Sequence, residues 1–351
     1  MITLEETYTH NQTCVTGDSM PDKRLSYTSA CGAFPLKIVV NKELLNSIID
    51  RKTIIPIHVQ LCPTNRCNLK CEWCSCSEVD RNIEMDYCTI IDVMTRYKRL
   101  GCQTVTITGG GEPLLHKRIN DVIGRLYDMG ISMGMVTNGW NITRLSSENI
   151  NKLTWVRISL GDSRKRELTT PTYWKKLHDV VDKGTRVDWS FSYVLTKQPY
   201  YKLIEKMLEF ANLHKFTHIR MTSDIFIADQ LSESMNLVRQ WVKRNGIDDR
   251  IVIYQDRAGW DRGQKQCLIS LLKPVVSADG NIYPCCGVQY ALDPPTKDFA
   301  TRLRMGTIRD IERIINEQKF FDGSVCVKCY YKHYNDLLSF LLSDVEHTGF
   351  V

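Results

Sequence analysis

Short apolar stretches alternate with amphipathic stretches from residue 54 to about residue 255. The apolar stretches are rich in β-branched and aromatic residues and are short enough to be strands. The six predicted strands are 54–61, 103–108, 131–137, 154–160, 187–195 and 217–222. The stretches between them repeat their apolar residues at the helical period. The clearest predicted helices are 85–100, 119–130, 173–184 and 201–213.

Three of these four helices meet a glycine at or just past their ends, where helices commonly stop. Strand–helix alternation predicts parallel βαβ units, and six of them fit either an open α/β sheet or a barrel. Periodicity does not choose between the two. In both architectures ligands bind at the carboxyl ends of the strands, so chemistry is expected in the loops that follow the strands.

The two ends of the chain do not continue this strand–helix alternation. Residues 37–52 predict a strand followed by a helix that packs against the bottom of the sheet. Residues 266–331 are punctuated by glycine and proline, contain five cysteines and predict a single helix, 310–321. Residues 336–345 predict a closing amphipathic helix. A region with so small a hydrophobic core usually needs a further link to stabilise its fold, often a bound metal.

Composition narrows the class of protein. The chain has 351 residues, 43% hydrophobic and 25% charged, which is ordinary for a globular protein. No apolar run approaches the ~18 residues that span a bilayer, and the polar first twenty residues lack the apolar core of a signal peptide. These features predict a cytoplasmic protein without a membrane segment. The net charge of +6 is scattered, which favours a solvated surface over a nucleic-acid interface.

Fourteen cysteines in such a chain indicate metal binding rather than disulfides, because the cytosol keeps thiols reduced. Three of them, Cys67, Cys71 and Cys74, directly follow the first predicted strand. Thiolates at this spacing suit zinc or an iron–sulfur cluster. A structural zinc site needs four closed ligands, whereas three ligands on a four-iron cluster leave one iron open. Cys62 and Cys76 flank this loop and are interpreted as packing residues.

The Cys-x3-Cys-x2-Cys spacing, with Trp73 directly before the third cysteine, resembles the signature of the radical S-adenosylmethionine (SAM) superfamily. The wider string CPTNRCNLKCEWC agrees with that resemblance. It implies an α/β fold with a partial (β/α)6 TIM-like barrel and a [4Fe–4S] cluster on the three cysteines. It also implies that SAM chelates the open iron. Reduction, by a donor such as flavodoxin or ferredoxin, would then cleave SAM to a 5′-deoxyadenosyl radical that abstracts a substrate hydrogen.

The resemblance extends to the stretch TGGGEPLLH, which follows the second predicted strand. A glycine-rich turn lets the backbone approach a ligand closely, although such a turn alone is weak evidence. Its position matches the family's GGE motif, which holds the methionyl amino group. The resemblance therefore implies that Gly110, Gly111 and Glu112 bind the cofactor. His116 is interpreted as a structural residue.

Three further strand ends are candidate cofactor contacts by the same resemblance. Asn138 lies in the TNG stretch after the third strand, and Ser159 ends the VRIS stretch of the fourth. Arg220 matches a basic residue that can pair with the SAM carboxylate, for which a guanidinium fork is well suited. An ordinary fold-supporting role is the alternative for each.

The C-terminal cysteines resemble the SPASM/twitch extension of the radical enzymes. The stretch CLISLLKPVVSADGNIYPCC is followed later by CVKC. Full SPASM domains carry further cysteines after this point and bind two auxiliary clusters, so the shorter twitch form is expected here. It implies one auxiliary [4Fe–4S] cluster on Cys267, Cys285, Cys326 and Cys329. A zinc site on the same four thiolates is the alternative. Cys286 beside them is either a packing residue or a hydrogen-atom donor to a substrate radical.

With these resemblances the chain is divided into four parts. They are an N-terminal extension (1–53), a radical SAM partial barrel (54–258), a SPASM/twitch auxiliary-cluster domain (259–335) and a C-terminal helix (336–351). The extension is too short for the winged-helix domain by which many peptide-modifying relatives hold a leader peptide.

Three functions are compatible with these motifs. The first is an enzyme with SAM and two [4Fe–4S] clusters that oxidises or epimerises a small polar molecule such as a sugar, aminocyclitol or nucleoside. The second is a SPASM-type enzyme that modifies a peptide or protein. The third is a non-enzymatic zinc-binding protein. A nucleic-acid substrate is a minority interpretation.

Overall fold

The structure is a computed structural model that describes residues 35–248, 251–257, 261–287 and 302–344. Most of the predicted N-terminal extension and the last seven residues of the predicted C-terminal helix therefore lie outside the described residues. Within the described part, no helix is both long enough and apolar enough to cross a membrane.

One sheet organises the described residues. Its strands are β1 His58–Leu61, β2 Thr104–Ile107, β3 Ser132–Thr137, β4 Trp155–Gly161, β5 Asp188–Leu195, β6 His218–Ser223, β7 Val252–Gln255, β8 Val275–Val276, β9 Asn281–Tyr283 and β10 Gly306–Thr307. The first seven are parallel and neighbours in chain order. β8 pairs in parallel with the free edge of β1, and β9 and β10 continue from it antiparallel. The C-terminal region thus extends the same sheet.

Helices follow most of the parallel strands. They are α1 Leu36–Val40, α2 Lys42–Arg51, α3 Tyr87–Arg99, α4 Ile119–Asp128, α5 Ser147–Ile150, α6 Lys165–Thr169, α7 Pro171–Val181, α8 Tyr201–Leu213, α9 Ser232–Arg244, α10 Ile269–Leu272, α11 Ile311–Asn316 and α12 Lys332–Leu342. In α3 the buried residues Ile90, Val93, Met94 and Tyr97 recur at the helical period. The Asp86 side chain caps its first turn by accepting from Thr89 N.

The two faces of the sheet differ in chemistry. Phe191 of β5 contacts Trp174 of α7 and Phe210 of α8, so its face of the sheet is the one the helices cover. Neighbouring residues in a strand point to opposite faces. Ser190 and Ser192 therefore point to the other face, which we call the inner face of the barrel.

Strand register assigns two rows of side chains to the inner face, since paired residues of parallel strands share a face. One row is Arg157, Ser190 and His218, and the other is Ser159, Ser192 and Arg220. A barrel interior filled only for packing would carry branched apolar residues. These polar and basic rows instead indicate a place for a polar ligand.

Trp155 fills the inner face next to Gly134, its register partner in β3. A Cβ added to Gly134 would lie 2.0 Å from the Trp155 ring, so glycine is required for the ring to lie flat against the β3 backbone. The Arg157 guanidinium lies 5.0 Å from the centroid of the same ring. Trp155 therefore lies on the inner face at the start of β4, next to the two polar rows.

Two expectations about the termini change. The strand predicted at the start of 37–52 is wrong, because Leu36–Val40 is helical and Asn41 then caps α2 by accepting from Leu44 N. The helix predicted over 310–321 is a 3-10 turn at Ile308–Asp310 followed by the short α11. The structure also adds α9 and the seventh parallel strand β7 to the predicted elements.

Gly134→Ala should destabilise the barrel by about 1–3 kcal/mol, because the new methyl group overlaps the Trp155 ring. Gly124→Ala is the matched control. Its Cβ would sit 3.6 Å from the nearest atom, and alanine is the better helix former in α4. Urea unfolding under anaerobic conditions should place the first variant below the parent and the second at or above it. Equal midpoints for both variants would contradict the packing described for Trp155.

Candidate metal and cofactor site

The loop between β1 and α3 carries Cys67, Cys71 and Cys74 at the carboxyl end of the first strand. Backbone hydrogen bonds close the loop at its base, from Asn65 N to Ile83 O at 2.9 Å and from Met85 N to Pro63 O at 3.0 Å. Within it, Cys74 N donates to Cys71 O at 3.2 Å. The three thiols are half-buried and project from one closed loop.

These thiols lie close enough to perturb one another. Burial raises the pKa of Cys71 to about 11; the Arg164 guanidinium opposes this shift, while Cys74 and Cys67 add to it. Burial also raises the pKa of Cys67, with Cys74 contributing in the same direction. The raised pKa values favour protonated thiols, and a bound metal would displace these protons and hold the sulfur atoms as thiolates, so the donor set fits a metal or an iron–sulfur cluster.

Arg81 holds this loop together, and sequence reasoning missed it. One guanidinium nitrogen donates to Asn65 O at 3.2 Å and to Gly110 O at 2.8 Å. The other donates to Cys76 O at 2.9 Å and lies 3.8 Å from Cys74 Sγ. A lone arginine seven residues after the third cysteine carries no recognisable signal, because its partners are mostly backbone carbonyl groups.

The glycine-rich loop after β2 lies directly against the cysteine loop. A Cβ added to Gly110, whose φ is +60°, would be 2.2 Å from Asn65 Oδ1, and one added to Gly111 would be 2.1 Å from Arg66 O. Gly111 N donates to Thr64 O at 2.8 Å. The two glycines are therefore needed for the packing of these loops, whatever ligand they also approach.

Glu112 joins this loop to the end of β3. Its carboxylate is buried and accepts hydrogen bonds from Leu114 N at 3.1 Å, Thr137 Oγ1 at 2.7 Å and Asn138 N at 2.7 Å. Burial raises the pKa of Glu112, and these three hydrogen bonds oppose the shift. The predicted cofactor ligand is thus also a structural tie between two loops.

Of the other predicted cofactor contacts, one reaches the cysteine loop and two lie on the inner face of the barrel. Asn138 donates from Nδ2 to Asn68 Oδ1 at 2.8 Å, which links it to the cysteine loop. Ser159 and Arg220 occupy one row of the inner face, with Ser192 between them. Arg220 also donates to Gln255 Oε1 at 3.4 Å. Asn138 therefore lies at the carboxyl end of β3, whereas Ser159 and Arg220 lie within β4 and β6, two and three residues before the last residue of each strand.

A buried ion pair stiffens this end of the barrel, and it too was missed from the sequence. Arg164 and Glu167 are 7% and 3% exposed, and Arg164 Nη2 lies 2.5 Å from Glu167 Oε1. Trp140 Nε1 donates to the same oxygen at 2.8 Å. Arg164 also donates to Ser159 O at 2.6 Å and to Asn138 O at 3.3 Å. It therefore fixes the ends of β3 and β4 beside the cysteine loop.

His116, in contrast, is structural. Its Nε2 lies 2.9 Å from Met85 O, and its Nδ1 accepts from Arg118 N at 3.2 Å. Both ring nitrogens are occupied inside the fold, so the sequence interpretation of this histidine agrees with its contacts.

The four C-terminal cysteines predicted as ligands line one cavity, namely Cys267, Cys285, Cys326 and Cys329. Close backbone approach brings them together. A Cβ added to Gly263 would lie 2.1 Å from Gly323 O, and Gly263 N donates to Cys326 O at 2.9 Å. Cys329 N donates to Asp261 O at 2.7 Å.

These four thiols also perturb one another. Burial, then Cys329 and Cys326, raises the pKa of Cys267 to about 12. Burial, then Cys329, raises the pKa of Cys326 to about 11. Burial raises the pKa of Cys285 as well, with Cys286 and Cys267 next in importance. A closed set of four thiols fits a centre whose metal positions are all held by the protein.

Cys286 stands next to this set and contacts a different group. Its Sγ lies 3.3 Å from the Tyr331 hydroxyl, to which Lys273 Nζ donates at 3.4 Å. It also packs against a small apolar cluster that contains Cys62, the first residue of the loop after β1. The C-terminal cysteine region and the start of the cysteine loop are therefore neighbours.

Comparison with known proteins assigns the class. Residues 61–210 match the family described as the Radical SAM superfamily, a family that implies SAM and a [4Fe–4S] cluster. It is 32% identical to the GTP 3′,8-cyclase of Limosilactobacillus fermentum over 27% of this chain and 30% of that protein. It is 30% identical to the tungsten-containing aldehyde ferredoxin oxidoreductase cofactor-modifying protein of Pyrococcus furiosus over 28% and 27%. The matches span less than a third of these relatives.

Solved structures share the fold. SuiB of Streptococcus suis bound to precursor peptide SuiA superposes with a TM-score of 0.57 at 15% identity, over 95% of this chain and 81% of that one. SuiB bound to S-adenosylmethionine gives 0.56 at 16% identity, over 83% and 73%. The predicted α/β partial barrel and the radical SAM resemblance are confirmed.

Arg81→Gln should loosen the cysteine loop and lower the iron bound after anaerobic reconstitution. The side chain then loses charge-assisted hydrogen bonds worth roughly 1.5–3 kcal/mol each. Lys70→Gln is the control. Lys70 is exposed in the same loop, and its substitution removes the same single positive charge. Iron and sulfide assays should show a loss only in Arg81→Gln. Full iron content in that variant would exclude the bridging role.

Proposed function

We propose that this chain is a radical SAM enzyme with two [4Fe–4S] clusters that abstracts hydrogen from a small polar substrate on the inner face of the barrel. A sugar, aminocyclitol or nucleoside fits this description. The observation that carries the proposal is the polar character of the rows that contain Arg157 and Ser159. They lie below the cysteine and glycine loops, where a packed barrel would hold apolar side chains.

The chain's residues divide the work of binding. Three cysteines hold the first cluster: Cys67, Cys71 and Cys74. Six residues bind SAM: Gly110, Gly111, Glu112, Asn138, Ser159 and Arg220. The contact between the cysteine loop and the glycine loop, and the shared inner-face row of Ser159 and Arg220, support both assignments. When bound, the cluster and SAM together supply a 5′-deoxyadenosyl radical, and the protein orients them and the substrate.

The second cluster is assigned to Cys267, Cys285, Cys326 and Cys329, because these four thiols line one cavity. A cluster whose irons are all held by the protein supplies electron transfer when bound. That chemistry favours oxidation as the overall reaction. In this proposal residues 54–258 form the catalytic barrel and 259–335 the auxiliary domain, whose hairpin β8–β9 brings its cysteines to the edge of β1.

Epimerisation is the second candidate, and one contact favours it. The Cys286 thiol and the Tyr331 hydroxyl are 3.3 Å apart, beside Lys273. A thiol next to a phenol can return a hydrogen atom to a substrate radical. Cys286 would then be catalytic rather than a packing residue.

Peptide modification is a third candidate, supported by the fold shared with SuiB, which was solved with its precursor peptide. Binding of a precursor peptide to the reconstituted enzyme would favour this candidate, whereas turnover of a sugar or nucleoside with no affinity for peptides would exclude it. A flavodoxin or ferredoxin as reductant and a cytoplasmic location stay predictions. A nucleic-acid substrate stays the minority interpretation.

Anaerobic reconstitution should yield about eight irons per chain, four for each cluster. Cys67→Ala, Cys71→Ala and Cys74→Ala should each lose the iron of the first cluster and all SAM cleavage. Cys329→Ala should lose only the iron of the second. Iron, zinc and 5′-deoxyadenosine assays read these outcomes. Two zinc ions and no iron would support the zinc-binding alternative and reject the enzyme.

The product distinguishes the two reaction types. Oxidation should give a product lighter by two hydrogen atoms, with no dependence on Cys286. Epimerisation should give a product of unchanged mass that gains one deuterium in heavy water, and Cys286→Ala should stall it. Mass spectrometry of the product from both proteins settles the choice; a deuterium-labelled product that vanishes in Cys286→Ala would reverse the preference for oxidation.

A further inference from the structure

Three side chains that can bind a metal meet on the outside of the barrel, where two neighbouring helices end. They are His178 in the last turn of α7, Asp182 directly after that helix, and His214 directly after α8. The two carboxylate oxygens of Asp182 lie 3.0 Å from His178 Nδ1 and 3.0 Å from His214 Nδ1. One ligand atom from each residue lies within 4.8 Å of the other two. The carboxylate therefore bridges two imidazoles from different helices.

The fold holds these side chains together. His178 and Asp182 are four residues apart at the end of a helix, so they lie on one face of it. The His214 side chain is 5% exposed, and its ring centroid lies 4.3 Å from that of Phe210 and 4.7 Å from that of His178. Its Nε2 is buried and has no hydrogen-bond partner among the described residues. Because burial of a polar ring costs free energy, packing alone does not account for this histidine.

The helix ends add negative charge at the same point. The last carbonyl groups of a helix carry a partial negative charge, which favours a nearby cation and disfavours a carboxylate. Asp182 nevertheless lies directly after α7, beside the end of α8 at His214. The imidazoles compensate this charge only when they are protonated. A metal ion would compensate it with neutral imidazoles as ligands.

We propose that His178, Asp182 and His214 form a binding site for a divalent transition-metal ion such as zinc. Two imidazoles and one carboxylate are a ligand set that zinc uses in proteins, with a fourth position left to water. Tetrahedral bonds of about 2.0–2.1 Å place ligand atoms roughly 3.3 Å apart, close to the two contacts of 3.0 Å found here. The His178 side chain is 53% exposed, so it is free to rotate and complete the set.

This site lies at the end of the barrel opposite to the cysteine loop. Asp182 and His214 come shortly before β5 and β6, at the amino ends of these strands, whereas the cysteine loop follows the carboxyl end of β1. The ion would join the ends of α7 and α8 and stabilise the outer wall of the barrel. A metal that binds only the folded chain raises its stability. Its role would be the same whatever reaction the barrel catalyses.

The test uses the full chain after anaerobic reconstitution, dialysed against buffered zinc, with zinc and iron assayed together. The parent should take up one zinc ion per chain in addition to its iron. His178→Ala and Asp182→Asn should each weaken zinc binding by about tenfold or more, because each removes one of three ligands. Asp179→Asn is the matched control. It removes the same charge from an exposed position three residues earlier and should bind zinc like the parent.

Urea unfolding of the same samples shows whether the zinc joins α7 to α8. Zinc should raise the unfolding midpoint of the parent and of Asp179→Asn, and should leave that of Asp182→Asn unchanged. Zinc uptake that is absent, that is equal in Asp182→Asn and Asp179→Asn, or that occurs only with loss of iron would overturn the site. SAM cleavage should be unaltered in all three variants. Its loss in both His178→Ala and Asp182→Asn would overturn the purely structural role.

Discussion

Backbone-to-backbone packing between the loop after β1 and the loop after β2 is the constraint on which the candidate site depends. Gly110 and Gly111 leave no space for a Cβ against the first loop. Arg81 bonds to carbonyl oxygens of both loops at once. Because the three cysteines lie in the first loop and three of the six predicted SAM contacts lie in the second, this packing sets their relative position. Glu112 extends the same connection to β3.

The arginine side chains of the barrel differ in their partners. Arg81 and Arg164 have carbonyl or carboxylate partners and stabilise loops. Arg157 lies in an inner-face row of β4, with its guanidinium over the Trp155 ring and its buried Nε without a hydrogen-bond partner among the described residues. Burial of such charges costs free energy unless something neutralises them.

The C-terminal region depends on the barrel for its placement. β8 adds to the edge of β1, and the hairpin to β9 then delivers Cys285 and Cys286 beside the start of the cysteine loop. Cys62, interpreted from the sequence as a packing residue, is buried in the apolar cluster against which Cys286 packs. The start of the cysteine loop and the residues after β9 thereby become neighbours, although they are far apart in the chain.

Local chemistry was readable from the chain, because cysteine spacing and apolar periodicity are properties of neighbouring residues. The helix predicted over 201–213 has those bounds in the structure, and the first cysteine set follows the first strand of the sheet. Contacts between distant segments were not readable. Residues 36–40 carry a β-branched pattern yet fold as a helix with Ile38 buried. Arg81 acts on Gly110, 29 residues away, through a carbonyl group that any residue possesses, so no side-chain pattern announces it. The cationic inner face likewise arises only when parallel pairing sets Arg157 and Arg220 on one surface, since strand register is decided by the whole sheet.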